Sequence, residues 1–109
     1  MEVKELSDFI DRTLTKGRYP ALNYSIRERI FTQTLKISEE VGELSEQVLW
    51  KFWWQRLDKI DKFSDERLGD ELADVIFSTI RITRLLDLDV DEILTKKMKI
   101  LRERFEKEN

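Results

Sequence analysis

The chain has 109 residues, a length for one domain over 1–109, with 40% hydrophobic and 39% charged residues and a formal net charge of −3. Cys and His are both absent, which excludes a disulfide framework, zinc sites of the usual kind and Ser-His triads. The acidic balance argues against a nucleic-acid scaffold held by phosphate contacts, and no apolar run approaches the ~20 residues of a membrane span.

The N-terminal segment, Met1 to Arg12, is charged and amphipathic and lacks the apolar core of a signal peptide, so a cytoplasmic location is expected. The first predicted helix runs from about Glu2 to Lys16, with Val3, Leu6, Phe9, Ile10 and Leu14 recurring at spacings of three and four. Gly17 ends it, and Tyr19-Pro20 keeps the chain extended. The second helix begins near Ser25, capped by Asn23 or Ser25, and continues to about Trp54. Its apolar stripe is Ile30, Phe31, Leu35, Val41, Leu44, Val48 and Phe52. A charged connection, Gln55 to Phe63, precedes a third helix capped by Ser64, with Asp65 and Glu66 complementing the dipole of its first turn. Leu68, Leu72, Val75, Ile76, Thr79, Ile80, Thr83 and Leu86 make that helix apolar on several sides, and it is expected to be the most buried element. It ends at Asp87-Leu88-Asp89, and Asp89 with Glu92 forms a capping-box-like start for a fourth helix. Ile93, Leu94, Met98, Leu101 and Phe105 are expected on the inner side of that last helix. The fold class is all-α, with a core thin enough that oligomerisation is expected to finish burying it.

Two acidic signatures stand out: Glu39-Glu40-Val41-Gly42-Glu43 and, after 27 intervening residues, Glu71-Leu72-Ala73-Asp74. At about 100° per residue, Glu39, Glu40 and Glu43 share an arc of roughly 100° on one helix, and Glu71 and Asp74 lie about 60° apart on another. If the two faces meet, five carboxylates surround a small volume, and their repulsion calls for cations. Oxygen ligands alone favour a hard cation, Mg²⁺ first and Mn²⁺ second. The bland alternative is a solvated acidic face on a helical protein–protein interaction module. Two features weigh against it: Glu71 and Asp74 fall within the most apolar helix, and Gly42 gives up about 1 kcal/mol of helix propensity in mid-helix. Close approach of a neighbouring helix or a ligand would explain that glycine. A di-iron carboxylate bundle would need Glu-x-x-His pairs, and an EF-hand would need its acids in a loop.

The segments Ile37 to Leu44 and Asp70 to Val75 resemble the two motif helices of the MazG-like nucleotide pyrophosphohydrolases, of the all-α NTP pyrophosphatase superfamily to which the dimeric dUTPases are related. Leu88-Asp89-Val90-Asp91 followed by Lys97 is similar to the family's entry into its last helix. The likeness covers roughly Thr34 to Phe105. It implies a four-helix protomer that assembles into a dimer or a dimer of dimers. It implies hydrolysis of a nucleoside triphosphate between the α- and β-phosphates, for house-cleaning of modified or surplus dNTPs. By position, Glu40, Glu43, Glu71 and Asp74 would hold Mg²⁺, and Glu39 with Glu40 would do the catalytic work, Glu39 by ligation or by orienting a water. Lys97 would contact phosphate, with Arg102 and Arg104 as further candidates. Trp50-Lys51 matches a position where relatives set an aromatic against the base. Leu101 replaces an Asn that some relatives carry beside the sugar or phosphates, and the first-helix region offers Phe9, Tyr19 and Tyr24 where some carry His or Trp. Base and sugar preference are therefore not implied.

Overall fold

A computed structural model describes residues 1–15, 25–52 and 65–108 of the chain. The expectations placed on Gly17, Tyr19, Pro20, Asn23, Tyr24, Trp54, the Gln55 to Phe63 connection and Ser64 lie outside these residues. Four α-helices are present among the described residues: α1 (Val3–Ile10), α2 (Ile26–Phe52), α3 (Asp65–Leu85) and α4 (Val90–Glu108). A π-helical turn, Asp11–Thr15, continues α1. The predicted first helix is thus α-helical for only its first half, and Thr13 Oγ1 donates to the Phe9 carbonyl at 2.7 Å within the wider turn.

Capping residues set several of the ends. Ser25 Oγ accepts from the Glu28 backbone N–H at 3.2 Å and opens α2. Asp89 Oδ1 accepts from the N–H groups of Asp91 and Glu92, at 3.0 and 3.2 Å, and opens α4. Between α3 and α4 the chain makes a Schellman turn. The Leu88 N–H reaches the Thr83 carbonyl at 2.8 Å and the Asp87 N–H reaches that of Arg84 at 3.2 Å. That turn puts Asp87 at φ 57°, in the left-handed region that glycine normally fills.

The apolar core is small. Leu6 and Ile10 of α1 meet Ile80 of α3 and Val90 of α4, with Val3 and Phe77 packed against them. Asp11 Oδ1 accepts from Arg84 Nε at 3.4 Å and ties the π-helical turn to the end of α3. Helices α2 and α3 run antiparallel. Gln33 Nε2 donates to the Ser78 carbonyl at 2.9 Å at one end of their seam, and Lys51 pairs with Asp65 at 3.2 Å at the other.

Three expectations about packing are corrected. Helix α3 is central, touching α1, α2 and the π-helical turn, yet Ile80 is its only buried residue, and Leu72 and Ile76 stay 46% and 53% exposed. Helix α2 buries Gln33, Glu40 and Gln47 against α3, while Phe31, Leu35, Val41, Val48 and Phe52 of its apolar stripe are exposed. Helix α4 rests mainly on α1, and Ile93, Leu94, Met98 and Phe105 face solvent. The physical reason is common to all three: helical spacing defines an apolar stripe, and the four helices among the described residues do not supply a partner for each stripe. The Cα radius of gyration, 17.4 Å, fits this openness, since a compact chain of this length would have about 13 Å. Gly42 is likewise not explained by a close neighbour, because a Cβ built there meets nothing within 4 Å.

Candidate metal centre

The heptad Gln33, Glu40, Gln47 spans only about 40° of α2 and forms the buried seam against α3. Val41, Val48 and Phe52 are turned roughly 100° from that seam in one sense, and Glu43 and Glu39 are turned about 60–100° in the other. On α3, Leu72 and Ile76 rotate away from the seam in the same sense as Val41, and Asp74 rotates in the sense of Glu43. Because the helices are antiparallel, equal senses bring both to one side. The α2–α3 pair therefore carries an apolar face on one side and an acidic groove on the other.

In that groove one carboxylate oxygen from each of Glu40, Glu43 and Glu71 lies within 4.8 Å of the other two. An octahedral Mg²⁺ with oxygens at about 2.1 Å spaces its ligands roughly 3–4 Å apart, so a small contraction would close the set. Glu40 is only 5% exposed. Its Oε2, and Oε2 of Glu71, are buried with no hydrogen-bond partner. Buried carboxylate oxygens without donors are costly, and a cation is the group that fits two such oxygens in a set of three carboxylates at this spacing. The residues present thus fit a divalent metal.

The electrostatics agree with the geometry. The Glu71 carboxyl is held above its ordinary value, first by desolvation, then by the charge of Glu43 and a hydrogen bond with it, then by Asp74 and Glu40. Asp74 is raised too, by desolvation, then Glu40 and Asp70, against a smaller lowering by Lys36. Asp74 keeps an exposed position beside the three-oxygen set and is tied to it through these charges. Glu39 is exposed, and Lys36 Nζ stands 3.6 Å from its Oε1 and 3.0 Å from Glu40 Oε1.

The remaining sequence-predicted residues fall elsewhere. Trp50 is half-buried on α2, on the groove side by its helical position. Lys51 is engaged with Asp65, and its Nζ lies 5.4 Å from the centre of the Phe52 ring. Lys97, Arg102 and Arg104 are exposed on α4, which packs mainly on α1, and none of them forms an ion pair among the described residues. The structure does not bring them to the acids within one chain. Sequence reasoning missed Lys36, Asp70 and Gln47. Lys36 and Gln47 had a signal, since each stands at helical spacing from Glu40 or Glu43. Gln47 is 8% exposed, and its Oε1 is buried without a partner.

Compared by sequence, the chain matches no family model and no curated protein. Compared by structure, it superposes on the crystal structure of iMazG from Vibrio DAT 722 with a TM-score of 0.62 and 22% identity, over 94% of this chain and 99% of that one. The likeness is one of fold: this chain has a MazG-like all-α fold.

Proposed function

We propose that this protein is a Mg²⁺-dependent nucleoside triphosphate pyrophosphohydrolase that cleaves (d)NTP to (d)NMP and pyrophosphate. The observation that carries this reading is the carboxylate set of Glu40, Glu43 and Glu71, with two buried unpartnered oxygens, in a MazG-like fold. Glu40, Glu43, Glu71 and Asp74 would hold the metal, with Mn²⁺ as a substitute. The bound cation would neutralise phosphate charge and lower the pKa of a water. The chain's own contribution is orientation and proton handling. Glu39, on the exposed edge of the groove, accepts a hydrogen bond from the attacking water and takes its proton. The scaffold needs no nucleophilic side chain, which suits a chain without Cys or His.

Trp50 is the candidate surface for the base, with Lys51, Lys97 and Arg104 as candidate phosphate contacts. For Lys97 and Arg104 the contact would come through assembly, α4 of one copy reaching the groove of another. The uncovered faces of α2, α3 and α4 support a homo-oligomer, a dimer or a dimer of dimers. Removal of modified or surplus dNTPs is the role that such a hydrolase would serve.

A pyrophosphate-release assay over ordinary and modified dNTPs tests the proposal. Asp74→Asn keeps the side chain's shape and removes its charge, and turnover is expected to fall about 10²-fold or more. Near-parental turnover of Asp74→Asn at low Mg²⁺ would overturn the site assignment.

A further inference from the structure

Lys36 meets the cluster in a way that the proposed chemistry does not use. It stands one turn before Glu40 on α2, with its ammonium 3.0 Å from Glu40 Oε1 and 3.6 Å from Glu39 Oε1. A Lys–Glu pair at this spacing on an exposed helix face contributes only a few tenths of a kcal/mol. This pair is different because its two ends are unequal. The Glu40 carboxylate is buried and largely cut off from water, whereas the Lys36 side chain is 47% exposed. A carboxylate in that position needs a charge-assisted partner, and Lys36 provides one for Oε1 while Oε2 has none.

A divalent cation held by Glu40, Glu43 and Glu71 would draw on the same carboxylate. The ammonium and the dication would then stand within a few ångströms and repel. Lys36 has a flexible four-carbon stem and an open side toward solvent, so it can leave Glu40 without disturbing the helix. A triphosphate lying over the cation is the anion within its reach.

We propose that Lys36 is an exchangeable counterion: it holds Glu40 in the metal-free protein, gives that carboxylate up to the divalent cation, and then binds a phosphate oxygen of the nucleotide. This rests on the metal-site reading above and adds a substrate-binding residue to it.

The test uses the full chain, with Mn²⁺ alone as the first probe and an α,β-methylene dNTP at saturating Mn²⁺ as the second. Lys36→Met keeps the aliphatic stem and removes the charge, and Lys36→Arg restores a cation. In Lys36→Met, Mn²⁺ measured by titration without nucleotide is expected to bind about fivefold more tightly, since the competing ammonium is gone. The analogue is expected to bind about tenfold more weakly, since a charge-assisted hydrogen bond to phosphate is lost. Lys36→Arg should return both toward the parent. A purely structural role for Lys36 would not move the two affinities in opposite directions. Unchanged or weaker Mn²⁺ binding in Lys36→Met overturns the exchange, and so does unchanged analogue binding. A parent protein that binds no Mn²⁺ is a separate result, which overturns the metal site itself.

Discussion

The raised carboxyls of Glu71 and Asp74 make a pH dependence that metal should reverse. A carboxyl whose folded pKa lies above its unfolded value binds more protons in the folded state, so its stabilising effect is complete at low pH and fades as pH rises through the folded value. In EDTA, the melting temperature is therefore expected to rise as pH falls from neutral through the raised folded values of Glu71 and Asp74. At saturating Mg²⁺ the same acids must be ionised to bind, and the trend should flatten or reverse. A metal-free melting temperature that falls steadily as the solution is acidified from neutral pH would show that Glu71 and Asp74 are not raised by burial and their acidic neighbours. Trp50 offers a second residue-scale test. If it stacks on the base, Trp50→Ala should weaken binding of a non-hydrolysable dNTP by ~1–3 kcal/mol, one or two decades, and remove most of the nucleotide-induced change in tryptophan fluorescence. Equal affinity in the variant would move the base elsewhere, with exposed Phe9 the next residue to replace.

At the scale of the elements, the turn between α3 and α4 has a residue that its backbone does not favour. Asp87 pays for φ 57° with Cβ crowding and sets a negative charge at the C-terminal end of α3. Asp87→Gly relieves both and adds unfolded-chain entropy, for an expected net gain of about 0.5–1 kcal/mol, read in a urea melt. A loss of stability would mean that the Asp87 side chain holds the turn. Two helix N-termini were legible: Ser25 and Asp89 cap as their types and positions suggest. The convergence of Glu40, Glu43 and Glu71 was legible too, because a fixed angle per residue lets two short motifs define two faces. What the apolar stripes pack against was not. Periodicity marks Val41, Val48, Leu72 and Ile76 as one-sided, but it is silent on whether the covering surface belongs to the same chain. The polar seam of Gln33, Glu40 and Gln47 was hidden for a related reason, since a search for apolar spacing passes over a buried heptad made of amides and an acid.

At the scale of the whole molecule, the chain exposes 8859 Å², against roughly 6,400 Å² for a compact monomer of its 13.2 kDa mass. An excess of this order is what an obligate homodimer would cover. Sedimentation at micromolar concentration is expected to show a homo-oligomer, and Ile76→Glu, a charge in the middle of the apolar face, is expected to shift it toward folded monomer. A parent that sediments as a stable monomer would remove the assembly from the proposal. The two-sided character of the α2–α3 pair has a thermodynamic consequence. A partner that clamps one side of two helices narrows the distances open to them on the other, and the acids on that other side are spaced by those same two backbones. Dication binding and subunit association would then be linked functions, each strengthening the other by one shared factor. Dilution should reveal it: with Mg²⁺ present, the protein is expected to stay associated at concentrations where, in EDTA, it has already come apart.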